Sequence, residues 1–162
     1  MRTAFRSLLL LAVFAMPAQA QVCKKSPPPF LADLFPAKVR SLPIEFSTAP
    51  GGGCMALYRP EDQAARASAP WASVTMDVSP IPSVGETAAD VQAYFGTQEE
   101  TQLFAVNGWP VAFTVSAVGD QFVTVRGAVR IKILIKNGDH GDASRALAVS
   151  FMENILPNVP CG

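Results

Sequence analysis

This chain is short of the residues on which most site chemistry is built. It has one histidine and three cysteines, and 13 lysines and arginines balance 13 aspartates and glutamates in 162 residues. Each shortage removes a class of function. Without a basic surplus there is little to displace counterions from a polyanion, so no nucleic-acid partner is expected. No polybasic segment is suited to an anionic membrane surface, and no apolar run is long enough to span a bilayer. One histidine cannot build a zinc site of the usual kind. Gly51-Gly52-Gly53 lacks the lysine and following helix of a phosphate loop and reads as a turn. Glu99 and Glu100 are adjacent in sequence, so they do not share a helix face and read as solvated. No internal repeat is present, and no cofactor or metal is expected.

What the chain does have begins at residue 1. Arg2 and Arg6 precede an apolar run from Leu8 to Phe14, and Met16-Pro17-Ala18-Gln19-Ala20 ends in a small-x-small pattern. That combination predicts a signal peptide over 1–20, cleaved after Ala20, and an exported, periplasmic or extracellular protein. Its removal leaves 142 residues, the size of one domain with one core, and a net charge near −2. With 49% hydrophobic residues in the full chain, the remainder is expected to fold.

Export places Cys23, Cys54 and Cys161 in an oxidising compartment, where an odd count allows one disulfide and one free thiol. Cys23 and Cys161 sit close to the two mature ends, which favours a tie between termini that would otherwise fray. In the chain-entropy account that long loop contributes roughly 5 kcal/mol, against roughly 3.5 kcal/mol for Cys23–Cys54, so both pairings remain open. Gln19-Ala20-Gln21-Val22 lacks a small residue directly ahead of Cys23, which argues against a lipid anchor there.

Residues 21–36 read as a Pro-rich stem, with Pro27-Pro28-Pro29 extended and Leu31, Leu34 and Phe35 anchoring it on a single domain over 37–162. Leu42–Thr48, Cys54–Tyr58 and Ala72–Val78 read as strands. Pro60 to Pro70 reads as a loop or short helical excursion. Thr87 with Asp90 predicts a capping box for a helix that Gly96 ends. The odd positions from Val111 to Ala117, and again from Val123 to Ile135, are apolar apart from Gly127. They predict a long hairpin whose second strand bends at that glycine. A three-residue loop, Gly119-Asp120-Gln121, then sets Ala117 opposite Val123. Asp142 is expected to cap a last helix whose stripe is Leu147, Phe151 and Ile155. The result is an α+β fold, an antiparallel sheet with a long bent hairpin packed by two main helices.

Leu34-Phe35-Pro36-x-x-Val39, the Ile44–Tyr58 hairpin, the Val74–Val78 strand, Gly108-Trp109-Pro110-Val111 and the terminal amphipathic helix follow one another in a familiar order. In this the chain resembles the PsbP-like fold family of extrinsic photosystem subunits and small secreted bacterial proteins. The resemblance implies a binding or assembly-assisting role and carries over no functional residue.

Candidate sites are few. Arg126, Arg130, Lys132 and Lys136, with Leu134 among them, are predicted to form one basic row on the even face of the long strand. Such a row suits an acidic protein or envelope polymer, or is a solvated face whose charges deter edge pairing. Trp109, beside Pro110 and Phe104, either lines a groove for a partner or seals the end of the core. Asp139, His140 and Asp142 crowd oxygen and nitrogen ligands into one turn, but turn chemistry already explains them. A Cys54–His140 pair would need to meet in space to act as a nucleophile and base. The expectation is an exported, non-enzymatic binding module of the bacterial envelope. A small secreted hydrolase or thiol enzyme using Cys54 and His140 is the alternative.

Overall fold

Asn107 and Gly108 both have positive φ, 50° and 77°, and form a two-residue turn in the computed structural model, which describes residues 31–48, 54–78 and 87–159. Two positive φ values in succession are the type I′ geometry that matches the twist of paired strands. The turn joins β5 (Gln102–Val106) to β6 (Trp109–Ser116). Ala117-Val118 leads into β7 (Gly119–Arg126), and Gly127-Ala128 into β8 (Val129–Lys136). Gly127, at φ 58°, occupies the first central position of its turn, where a type II′ hairpin requires glycine.

This corrects the expected long bent strand. Gly127 starts a reversal, and β7 and β8 are antiparallel partners with Arg126 opposite Val129. The expected three-residue loop is also absent, since Ser116 lies opposite Gly119 and Ala112 opposite Val123. The cause is that β7 is packed on both faces. Phe122 and Thr124 are buried on one side and Val125 on the other, so alternation alone points to the wrong partner face.

The short β1 (Lys38–Val39), β2 (Leu42–Thr48), β3 (Cys54–Tyr58) and β4 (Trp71–Val78) extend an eight-stranded sheet of order β1-β2-β3-β4-β8-β7-β6-β5. β2, β3 and β4 form where their patterns predict, and β1 and β5 are strands not expected from the sequence. Every neighbouring pair is antiparallel, and β4 meets β8 from Trp71–Lys136 to Val78–Val129. Residues 65–67 form a single 3-10 turn within the proline-bounded loop.

Helix α1 (Ala88–Gly96) starts at the predicted capping box. Asp90 N donates to Thr87 Oγ1, and Thr87 N donates to the Asp90 carboxylate. Gly96 is still helical, and Thr97 is the C-cap. Helix α2 (Asp142–Ile155) buries Leu147, Ala148, Phe151, Met152 and Ile155 against the sheet. Asp142 is its first residue but not its cap. The Asp139 carboxylate instead accepts from the backbone N–H groups of Gly141, Ala143 and Ser144.

Both ends of the sheet reach α2. Arg40, in the β1–β2 turn, donates to Ser150 Oγ and the Ala146 carbonyl at 2.9 Å, while Arg145 donates to Gln102 of β5 at 3.2 Å. The sheet is therefore curled, with α2 in its concave side and α1 on the convex side over β5 and β6. Leu31, Leu34 and Phe35 are buried, as expected of the stem anchor. The predicted signal peptide, Pro27-Pro28-Pro29, the Gly51-Gly52-Gly53 turn, Cys23 and Cys161 lie outside the described residues. Among the described residues no helix is long and apolar enough to cross a membrane.

Candidate functional site

β8 alternates in burial. Val129, Ile131, Ile133 and Ile135 enter the concave core, and Arg130, Lys132, Leu134 and Lys136 face the convex side. Three members of the predicted basic row thus share one surface. Arg126 does not, because the turn at Gly127 places it on β7, where its guanidinium lies over the Trp109 ring at 5.1 Å. Burial there pushes its pKa down.

The three remaining cations are not equivalent. Register places Arg130 opposite Asp77, and its Nε and NH2 donate to Asp77 Oδ2 at 3.2 and 3.0 Å. Lys136 lies opposite Trp71 at the far end of the strand. Lys132 lies between Thr75 and Val123, is exposed, and has no carboxylate partner among the described residues. Arg59 and Arg66 on the same surface share the Glu45 carboxylate, with Arg66 at 2.9 Å. Arg59, hydrogen-bonded to it, is the main cause that holds the Glu45 pKa below its ordinary value.

Beside Lys132 the sheet and α1 enclose a half-open cleft of about 270 Å³. Phe95, Ala112 and Val123 are its apolar lining. Tyr94 and Gln98 from α1, Thr114, Gln121, Arg130 and Lys132 supply the polar groups. No carboxylate, imidazole or thiol lines it. The chemistry on offer is a set of hydrogen-bond donors and two cations above an apolar floor.

Trp109 is buried at one end of the core. It is 5% exposed, and its indole N–H donates to the Val125 carbonyl at 3.0 Å. That bond has a reason in the neighbouring residue. A two-residue hairpin closes on a hydrogen-bonded pair, so Val106 and Trp109 exchange bonds, and the even residues of β6 turn their backbone groups toward β7. Pro110 is one of these and has no N–H to give. The Trp109 ring supplies the missing donor, and Thr124 Oγ1 donates to the Pro110 carbonyl at 2.7 Å.

His140 and Cys54 are not brought together. They belong to places three strands apart on the concave face, roughly 14 Å at ordinary strand spacing, and roughly 13 Å further along the strands. Cys54 is a half-buried free thiol. His140 is held by Asp120, a fully buried carboxylate that lies on β7 and not in the expected loop. Asp120 accepts from the His140 backbone N–H at 3.1 Å and meets Nδ1 at 2.6 Å. Gly138 is needed beside this pair, since a Cβ there would lie 2.1 Å from Ser144 Oγ and 2.9 Å from Asp120 Oδ2. Among the described residues no three His, Cys, Asp or Glu side chains converge to hold a metal ion.

No known protein family matches the chain, and neither the curated proteins nor the solved structures contain a significant relative.

Proposed function

We propose that the chain is an exported, non-enzymatic binding module of the cell envelope, and that the convex cleft beside Lys132 receives an acidic segment of a partner protein. The observation that carries this reading is Lys132 itself. Its neighbour Arg130 is already matched by Asp77, whereas the Lys132 ammonium stands unpaired at the mouth of a cleft with an apolar floor. The volume lies below the range of about 300–1,000 Å³ usual for small-molecule pockets. It suits one acidic side chain and its apolar neighbour better than a whole ligand. Arg130 positions the rim, and Lys136 extends the favourable potential along β8. The lining contains no carboxylate, imidazole or thiol, which supports binding rather than turnover. The PsbP-like resemblance points the same way. An acidic envelope polymer is the competing partner.

Retention on immobilised poly-glutamate and on envelope protein extract tests the proposal. Lys132→Glu is expected to weaken capture of an acidic protein about tenfold, equivalent to about 1.4 kcal/mol. Thermal stability should change little, since exposed substitutions usually shift it by about ±0.5 kcal/mol. Capture should also fall as salt rises past about 0.1 M, where screening acts over about 10 Å. Equal retention of both proteins would overturn the cleft. Loss of polymer binding alone would transfer the role to the polymer.

A further inference from the structure

The two ends of the sheet are finished differently. The β1 end is two residues long, carries Lys38 and Arg40, has Pro43 in the adjoining strand, and is tied to α2 through Arg40. These are the devices by which proteins discourage an added strand. The β5 end shares the tie to α2, through Arg145, and has Pro110 in the adjoining strand, but the edge strand itself is five residues long and uncharged. Its sequence, Gln102-Leu103-Phe104-Ala105-Val106, contains no proline, lysine or arginine. Since Val106 and Trp109 close the type I′ hairpin with paired hydrogen bonds, Gln102, Phe104 and Val106 point their backbone groups inward at β6. Leu103 and Ala105 must then point theirs outward. No backbone or side-chain partner meets those groups among the described residues. Ala105 is exposed.

A cavity of about 210 Å³ lies against this edge, lined by Gln92 of α1 together with Leu103, Phe104, Ala105, Gly108 and Pro110. Helix, edge strand and hairpin turn thus frame a groove next to free backbone donors and acceptors. On the concave side Arg145 of α2 lies over the Phe104 ring at 5.3 Å and donates to Gln102, while the charges adjoining the edge strand in sequence are acidic. No lysine, arginine or histidine occurs from Ala67 to Val125, while Asp90 lies on α1, and Glu99 and Glu100 lead into β5. Both glutamates are exposed and have no ion-pair partner among the described residues.

We infer that the β5 edge is a strand-addition site for an extended basic segment of a partner protein. Its backbone pairs with Leu103 and Ala105, an apolar side chain enters the cavity, and lysines or arginines reach Glu99 and Glu100. Strand addition draws affinity from backbone bonds and specificity from alternate side chains. The site is independent of the Lys132 cleft and opposite to it in charge.

The test uses a short synthetic peptide alternating lysine and valine, with a glutamate–valine peptide as control, titrated into the labelled full chain. The basic peptide is expected to shift the Leu103 and Ala105 amides and slow their exchange, and the acidic one is not. Ala105→Pro removes an outward N–H without touching the ladder to β6, and should weaken binding about tenfold. Glu99→Lys should weaken it about threefold, and Lys132→Glu should leave it unchanged. Equal binding by a folded Ala105→Pro variant overturns the proposal. If that variant does not fold, unchanged affinity in Glu99→Lys overturns it. Conversion of a dimer to a monomer by Ala105→Pro would assign the edge to a second copy of the chain, and weakening by Lys132→Glu would assign the peptide to the cleft.

Discussion

The concave and convex faces of one sheet are built from the same strands and do different work. Against α2 the rungs are mostly apolar, and two buried polar groups among them are matched, Asp120 by His140 and Thr124 by Pro110. On the other face α1 covers only β5 and β6, and the remainder carries five cations, two carboxylates and the half-exposed Leu57, Trp71 and Leu134. Stability is concentrated where alternation is strict. Recognition has room where cover is partial.

The sharpest way to break the contrast is at Phe151, which is fully buried and meets the Tyr58 ring edge-on at 4.7 Å. Phe151→Ala is expected to cost about 3–5 kcal/mol in denaturant unfolding, against the near-neutral effect of Lys132→Glu. A smaller effect separates packing from hydrogen bonding at the rim of the concave face. Trp109→Phe keeps most of the apolar volume but leaves the Val125 carbonyl without its donor. It should cost about 1–3 kcal/mol, and a Trp109→Phe protein as stable as the parent would remove the role assigned to the indole.

The smallest effect is at the start of α2. The N–H groups of Ser144, Ala143 and Gly141 hold the Asp139 pKa down to about 2. A carboxyl depressed in the folded state contributes stability above its unfolded value of about 3.9, and loses it as pH falls. Parent and Asp139→Asn melting curves should therefore differ at pH 7 and converge between about pH 5 and pH 2. A constant gap across that window would contradict the capping account.

Most of this fold was legible wherever a strand or helix has one wet face. β2, β3, β4 and both helices are of that kind, and Thr87 and Asp90 marked the start of α1. β7 was not, because Val123 and Val125 face α1 while Phe122 and Thr124 face the concave core. β5 was overlooked although Asn107-Gly108 between Val106 and Trp109 is a strong hairpin signal. Of the site, Arg130, Lys132 and Lys136 followed from alternation, and Arg126 was misplaced with the missed turn. The cleft itself could not be read. It depends on where α1 rests across strands that are distant in sequence, and no local pattern encodes that.

The position of α2 in the chain has a consequence in time as well as in space. It is the last helix in sequence, yet it touches both ends of the sheet, at Arg40 and at Gln102. A chain that emerges N-terminus first therefore has no cover for its concave face until residues 142–155 have appeared. β4 likewise waits for β8, whose Val129 pairs with Val78 across 50 intervening residues. Until then the isoleucines and aromatics that later form the core remain available to water or chaperones.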